Sequence, residues 1–163
     1  MMAVVWIVKK KYKEEADVRN LIRYIVEKND CGREYNNRFG IRKGDSAIAA
    51  KDILAIQKKY DKEPATIVRH IVISFSSKDI VIPEQVVGFA EKIAKYYNNK
   101  YQVLYGIHDR NRRGGENVHI HMIVSSTNFR TGKILHEGSD ELEDFKFYVN
   151  NVVNSFNRHK LWT

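Results

Sequence analysis

Residues 101–126 read YQVLYGIHDRNRRGGENVHIHMIVSS, and this stretch decides the fold. Two apolar segments, residues 101–108 and 117–126, flank the polar segment DRNRRGGE. Apolar runs of this length on either side of a glycine-containing polar segment are typical of a β-hairpin. The stretch therefore predicts two neighbouring antiparallel strands, with Gly114 and Gly115 in the connection between them.

Three of the six histidines of the chain lie in this hairpin. Side chains along a strand alternate between its faces, so His119 and His121 point to one side, followed there by Ile123. His108 ends the first strand, and the hairpin brings it opposite His119. Three converging imidazoles with open coordination positions are typical of a catalytic metal site, because structural zinc sites are closed. We predict that His108, His119 and His121 hold one divalent cation, although a His-x-His pair alone is more often hydrogen-bonded or exposed.

The rest of the sequence predicts further strands and helices around the hairpin. Strands are predicted at residues 3–9 and 67–76, where β-branched residues are dense. Apolar residues at helical spacing predict helices at residues 17–28, 46–60, 84–98 and 140–156. Polar, glycine-containing segments at 29–44 and 128–138 predict loops. The order of elements predicts one α+β domain over residues 1–163, with a central, mainly antiparallel sheet of about five strands and helices packed on its outer face.

The composition limits the function classes. The formal net charge is +8, which favours a polyanionic partner through phosphate neutralisation. Cys31 is the single cysteine, which excludes an intramolecular disulfide and a cysteine-based zinc knuckle. No segment has the length and apolar character of a membrane span or a secretion signal. The sequence therefore predicts a soluble, cytoplasmic protein with no membrane partner.

The hairpin also carries a family resemblance. The segment IHDRNRRGGENVHIHMIVSS and the turn TNFRTGK after it resemble the third motif of relaxases, the HUH endonucleases that nick DNA for plasmid mobilisation and conjugation. The segment RHIVISFSSKDIVIPEQVVGFAEKIAKYY resembles the family's strand, Ser-Phe turn and following helix, and NLIRYIVEKNDCG is similar to the helix that carries the nucleophilic tyrosine. The sequence departs from the pattern at Ser125 and Ser126, where relatives commonly have asparagine. The resemblance runs from about residue 18 to the final helix.

The resemblance implies an activity and its partners. It implies metal-dependent, site- and strand-specific nicking and rejoining of DNA through a 5′-phosphotyrosine intermediate. The implied cofactor is Mg²⁺ or Mn²⁺, and three imidazoles would also suit Zn²⁺ or Ni²⁺. The implied substrate is single-stranded or locally melted DNA, with accessory mobilisation proteins as further partners.

The nucleophile has to be chosen among nine tyrosines. Tyr60, Tyr97 and Tyr148 each continue an apolar helical stripe, which is typical of core aromatics. Tyr24 lies about 130° from the centre of its helix's apolar stripe at 100° per residue. Such a tyrosine is usually an ordinary surface residue, but Tyr24 matches the Tyr-Ile pair of the relaxase motif. The resemblance therefore assigns Tyr24 as the nucleophile, with Tyr12 and Tyr35 as reserves.

The sequence also indicates roles for other residues near the proposed site. A basic set is predicted to hold the DNA backbone, against the alternative of a solvated loop: Arg23, Arg110, Arg112, Arg113, Arg130 and Lys133. His70 is expected to be an ordinary hydrogen-bonded sheet histidine rather than a support for the metal ligands. Asp109 follows His108 in the strand, and alternation is expected to turn it away from that ligand.

Two other functions stay open at this point. In a rolling-circle replication initiator or a single-tyrosine HUH transposase, the tyrosine follows the histidines, and Tyr148 would be the nucleophile. In a non-catalytic nucleic-acid-binding module, the histidines would be structural.

Overall fold

One antiparallel sheet with the strand order β1-β3-β5-β4-β2 organises the protein. The computed structural model describes residues 2–27, 35–76, 82–109, 118–136 and 138–160. Within these ranges the strands are β1 (Ala3–Ile7), β2 (Asn36–Phe39), β3 (Val68–Phe75), β4 (Val103–His108) and β5 (His119–Ser125). The helices are α1 (Glu15–Val26), α2 (Ser46–Lys59), α3 (Pro83–Ala94) and α4 (Ser139–Lys160). The predicted α+β class and mainly antiparallel sheet are confirmed.

The strand pair β4–β5 has the predicted hairpin register. Its pairs run from Val103 opposite Val124 to His108 opposite His119. Both strands are buried along their whole length, because they lie inside the sheet and are covered on both faces. Gly114 and Gly115, predicted in the connection, lie outside the described residues.

The predicted loop at residues 29–44 was wrong in part. Asn36–Phe39 forms β2, which pairs with β4 from Asn36 opposite Gly106 to Phe39 opposite Val103. Its four residues are only half-buried, and they have no run of apolar or β-branched residues. This short edge strand exists because the open edge of β4 offers backbone partners, which is a tertiary effect rather than a local propensity.

Helices cover both faces of the sheet, which corrects the expectation of helices on one outer face. The α3 and α4 side chains pack on one face with Ile120, Met122 and Val124 of β5. The α1 and α2 side chains pack on the other face with Leu104 and Ile123. We call the second one the α1/α2 face. Since His119 and His121 alternate with Ile120 and Met122, they lie on the α1/α2 face.

Gly106 allows α1 to approach the sheet closely. A Cβ atom at Gly106 would lie 2.6 Å from the backbone oxygen of Ile25 and 2.7 Å from its Cγ2. Any other residue would therefore push the end of α1 away from β4. Gly106 is paired with His121, so the close approach brings α1 over the histidines. Among the described residues, no helix is long and apolar enough to cross a membrane.

Candidate metal centre

The three predicted ligands meet at one end of the β4–β5 pair. His108, His119 and His121 are buried, and each offers a ring nitrogen within 4.8 Å of the other two. The ring centroids are 4.5 Å apart for His108 and His121, and 4.8 Å for His119 and His121. Strand alternation and the pairing of His108 with His119 produce this convergence, as the sequence predicts.

A backbone contact from α1 orients His108. Nε2 of His108 donates a hydrogen bond of 3.0 Å to the backbone oxygen of Ile25. Because Nε2 carries the proton of the neutral ring, Nδ1 holds the lone pair that can bind a cation. The contact depends on the close packing of α1 at Gly106.

A second chain of hydrogen bonds orients His121. Nδ1 of His121 lies 2.8 Å from Nε2 of His70, and Nδ1 of His70 lies 3.2 Å from the hydroxyl of Tyr12. With Nδ1 of His121 engaged by His70, Nε2 is the ring nitrogen that can face a cation. Outer hydrogen bonds of this kind fix the tautomer and the orientation of metal-ligating histidines.

Burial sets the charge of His70. Its side chain lies in the β3 strand between Tyr12 and His121, and burial, together with the nearby His108, lowers the pKa of His70 to about 4. His70 is therefore neutral at pH 7, with one nitrogen donating and one accepting. Burial and the charge of Asp17 also raise the pKa of Tyr12, so its hydroxyl stays protonated.

Tyr24 lies against the histidines. Its ring centroid is 5.3 Å from that of His108 and 5.3 Å from that of His121, in edge-on arrangements. The side chain is half-buried on the edge of the α1/α2 core. A tyrosine off the apolar stripe of its helix is thus turned toward the histidine cluster.

The other tyrosines lie elsewhere. Tyr148 packs on the α3/α4 side of the sheet, where its hydroxyl donates 2.8 Å to the backbone oxygen of Lys92. Tyr35 is also on that side, and it donates 2.7 Å to Glu84. Tyr12 is buried and bonded to His70. Among these, Tyr24 is the tyrosine with ring contacts to the predicted ligands.

The three imidazoles fit a divalent transition-metal ion. Imidazole nitrogen is a preferred donor for Zn²⁺, Ni²⁺ and related ions, whereas Mg²⁺ prefers oxygen donors. Three protein ligands leave positions for substrate oxygens, which is the arrangement of catalytic rather than structural sites. The hydrogen bonds to Ile25 and His70 pre-orient two of the three rings, so this donor set needs little rearrangement.

The predicted DNA-contacting residues are spread over the molecule. Arg23 is exposed beside Tyr24, with its Nε 3.5 Å from Glu27. Arg130 and Lys133 lie past the Ser125 end of β5, whereas His119 begins that strand, so the structure does not bring them to the histidines. Arg130 donates instead to the backbone oxygen of Asn99. Three members of the set lie outside the described residues: Arg110, Arg112 and Arg113.

Sequence reasoning missed the contribution of His70. The sequence predicts a strand around His70, but it does not predict which strand pairs with it. β3 pairs with β5, with His70 opposite Ile123, so His70 shares the α1/α2 face with His121. His70 is a hydrogen-bonded sheet histidine, as expected, and one of its partners is the predicted ligand His121.

Comparisons with known proteins agree with this architecture. A solved structure described as "Molecular Basis of Vancomycin Resistance Transfer in Staphylococcus aureus" has a similar fold, with a TM-score of 0.64 and 13% sequence identity. The likeness covers 98% of this chain and 94% of that one. No curated protein matches the chain. The family model "Relaxase: MobA/VirD2-like, nuclease domain" matches residues 24–157, from the candidate tyrosine to the last helix. The chain belongs to the MobA/VirD2-like relaxase nuclease family.

Proposed function

We propose that the protein nicks and rejoins one strand of DNA at a specific site, with Tyr24 as the nucleophile and His108, His119 and His121 as metal ligands. The observation that carries the proposal is the contact of the Tyr24 ring with two of these three histidines at 5.3 Å. A phosphate held beside the histidines would lie close to the Tyr24 side chain, and nucleophilic attack requires this proximity. The role in the cell is mobilisation of a plasmid or other mobile element, with accessory mobilisation proteins as further partners.

The reaction conserves the energy of the phosphodiester bond. The Tyr24 oxygen attacks phosphorus and loses its proton, while the bond from phosphorus to the 3′ oxygen breaks and that oxygen takes up a proton. The products are a 5′-phosphotyrosine linkage and a free 3′-hydroxyl, and the reverse step rejoins the strand. A divalent transition-metal ion such as Mn²⁺ would supply charge stabilisation for the phosphate. Ile25 and His70 hold two of the rings in place for it.

The substrate is single-stranded or locally melted DNA. The tyrosine and the histidines must reach the phosphate of one strand, and unstacked bases can then contact side chains of the protein. The formal charge of +8 favours binding of the phosphate backbone. Among the described residues of the predicted basic set, Arg23 is the closest in sequence to Tyr24, and its side chain is exposed.

Covalent trapping tests this proposal. The purified chain is incubated with a single-stranded oligonucleotide library and Mn²⁺, and protein–DNA adducts are resolved on a denaturing gel. We expect an adduct with the wild-type chain and with Tyr148→Phe, and none with Tyr24→Phe or with EDTA. The double variant His119→Ala/His121→Ala should also give none.

The controls separate the alternatives. An adduct lost in Tyr148→Phe and kept in Tyr24→Phe would assign the chain to the replication-initiator or transposase arrangement. If no oligonucleotide forms an adduct when the metal ion is present in excess, the nicking proposal is rejected. A non-catalytic nucleic-acid-binding module would then be favoured.

A further inference from the structure

The outer strand β1 exposes apolar side chains on one face. Val4 is 62% exposed and Trp6 is 44% exposed, while the alternate residues Ala3 and Val5 are buried against α4 and the core. We call Val4 and Trp6 the β1 strip. Large apolar side chains exposed side by side mark a binding surface more often than isolated ones do.

The sheet register puts the β1 strip on the same face as the histidines. Trp6 is paired with Val72 of β3, and Val72 is paired with His121 of β5. Val4 is paired with Ser74, and Ser74 with His119. Directly paired residues point to the same side of a sheet. Trp6 and His121 therefore lie in one row across the α1/α2 face, two strands apart.

The spacing suits a nucleic-acid strand that passes over the histidines. Two strand separations amount to about 10 Å, which is about three nucleotides at the rise of roughly 3.4 Å in a stacked strand. Between them lies Val72, which is buried, so Trp6 is the exposed residue on the β1 side of this row. A strand with its phosphate at the histidines would thus carry a flanking base over Trp6.

The charge near the β1 strip favours the same occupant. Lys9 and Lys10 lie just beyond the end of β1, after Val8, and both are exposed. Positive side chains that track a phosphate backbone beside an aromatic ring for the bases are the usual elements of single-stranded nucleic-acid binding. A protein segment added to this sheet edge would gain apolar contacts, but it would not explain why lysines follow the strip.

We propose that the β1 strip binds the single-stranded DNA that flanks the nick, with one base stacked on the Trp6 ring. The inference rests on the proposed function, because it extends the same substrate along the same face. It assigns Trp6 to DNA binding and not to the chemical step. Trp6 should therefore affect affinity for the strand and leave the identity of the attacking tyrosine unchanged.

Fluorescence of Trp6 tests the proposal directly. The chain has two tryptophans, so a Trp162→Phe background isolates the Trp6 signal. In EDTA, where no nicking takes place, oligo-dT and a mixed-sequence oligonucleotide are titrated in. We expect quenching of Trp6, and a loss of affinity of roughly 5- to 100-fold in Trp6→Ala, which corresponds to one stacked base. Trp6→Phe, which keeps an aromatic ring, should retain most of the affinity.

The matched control is Phe147→Ala. Phe147 is an exposed aromatic residue of α4, 71% exposed and remote from the α1/α2 face, and its removal should not change DNA affinity. Wild-type affinity in Trp6→Ala would overturn the inference. A change of oligomeric state in Trp6→Ala, seen by light scattering without any change in DNA affinity, would also overturn it, because the β1 strip would then be a contact between copies of the chain.

The adduct assay keeps the two proposals separate. Adducts on Tyr24 without quenching of Trp6 would reject the β1 strip and leave the nicking proposal intact. Quenching of Trp6 and weaker binding by Trp6→Ala, without adducts under any metal condition, would support the β1 strip and reject nicking.

Discussion

Nε2 of His70 lies 2.8 Å from Nδ1 of His121, so a histidine of β3 is bonded to a predicted metal ligand of β5. With Nε2 of His121 as the ligand atom, the proton of His121 is on Nδ1 and is donated to His70. The second nitrogen of His70 then donates to the Tyr12 oxygen, 3.2 Å away. The hydrogen bonds that join Tyr12, His70 and His121 thus fix which nitrogen of His121 has the lone pair.

Replacing His70 should weaken metal binding without removing a ligand. We expect His70→Ala to lower the affinity for Mn²⁺ or Ni²⁺ by about 10- to 100-fold, the range for loss of such supporting hydrogen bonds. His70→Gln retains an acceptor and should recover part of that loss, and Tyr12→Phe should have a smaller effect. Isothermal titration calorimetry measures all three. Unchanged affinity in His70→Ala, with a native circular dichroism spectrum, would show that His121 is oriented by other groups.

Metal binding should also stabilise the fold. A ligand that binds the folded state alone at 100 times its Kd adds about 2.7 kcal/mol to the free energy of unfolding. We expect Mn²⁺ to raise the Tm of the wild-type chain and EDTA to reverse the increase. His121→Ala should abolish the shift, whereas Tyr24→Phe should retain it, because Tyr24 is not a ligand in the proposed site. A shift of equal size in His121→Ala would place the stabilising ion elsewhere.

The hairpin and its histidines could be predicted because they depend on residues that are close together in the sequence. Alternation along residues 119–123 and antiparallel pairing of the two apolar segments are sufficient to bring His108, His119 and His121 together. The off-stripe position of Tyr24 came from helical periodicity in the same way. The class of the fold followed from the order of apolar segments.

The contributions of His70, Gly106 and β2 could not be predicted, because they depend on which strands are neighbours. His70 shares a face with His121 only because β3 lies next to β5. Gly106 matters because α1 packs on β4 at that point, and Asn36–Phe39 is a strand because the β4 edge is open to it. A single sequence gives the periodicity of each element and not the order of strands in the sheet.

Gly106 offers a test of the coupling between α1 and the site. Gly106→Ala would put a methyl group 2.6 Å from the Ile25 oxygen, so we expect a loss of about 1–3 kcal/mol in the free energy of unfolding. The displaced helix should also reduce the yield of Tyr24 adducts. Gly138→Ala is the matched control, because a Cβ there meets no atom within 4 Å. Urea denaturation of both variants measures the difference, and equal stabilities would contradict the close packing of α1.

Asp52 should make stability depend on pH in the acid range. Its carboxylate accepts hydrogen bonds from the backbone N and Nε of Arg42, at 2.7 Å and 3.0 Å. The Arg42 side chain is the main reason that the pKa of Asp52 falls below 3.8. The folded pKa is depressed, so the stabilisation is present above about pH 4 and is lost as the pH falls through the folded value.

Asp52→Asn removes this dependence. Urea unfolding at several pH values should show the variant less stable than the wild type at pH 7, with the gap narrowing below pH 4, because protonated aspartate and asparagine are both neutral. Asp140→Asn, at an exposed position in the first turn of α4, serves as the control. A gap that stays constant down to pH 2 would mean that packing, and not the charge of Asp52, is responsible.

The buried side chain of Arg69 holds the start of α4 to the sheet. Its NH1 lies 3.1 Å from Glu141, its NH2 donates 2.9 Å to the backbone oxygen of His136, and its side chain is only 2% exposed. If one partner of such a pair is removed, the other is left as a buried charge without compensation. The free-energy cost of this change is larger than the net stabilisation that the intact pair provides. The cost is moderated here, because the Glu141 side chain is 24% exposed and partly solvated.

We therefore expect Glu141→Gln to lower the free energy of unfolding by about 2 kcal/mol. The same helix provides the matched control in Glu143, which lies 3.1 Å from Lys146 but is 70% exposed. Glu143→Gln should cost less than about 1 kcal/mol, since exposed ion pairs contribute little. Urea denaturation at low and high salt separates the two, because salt screens the exposed pair and leaves the buried guanidinium largely unaffected. Equal costs at both sites would show that Arg69 has enough backbone acceptors without Glu141.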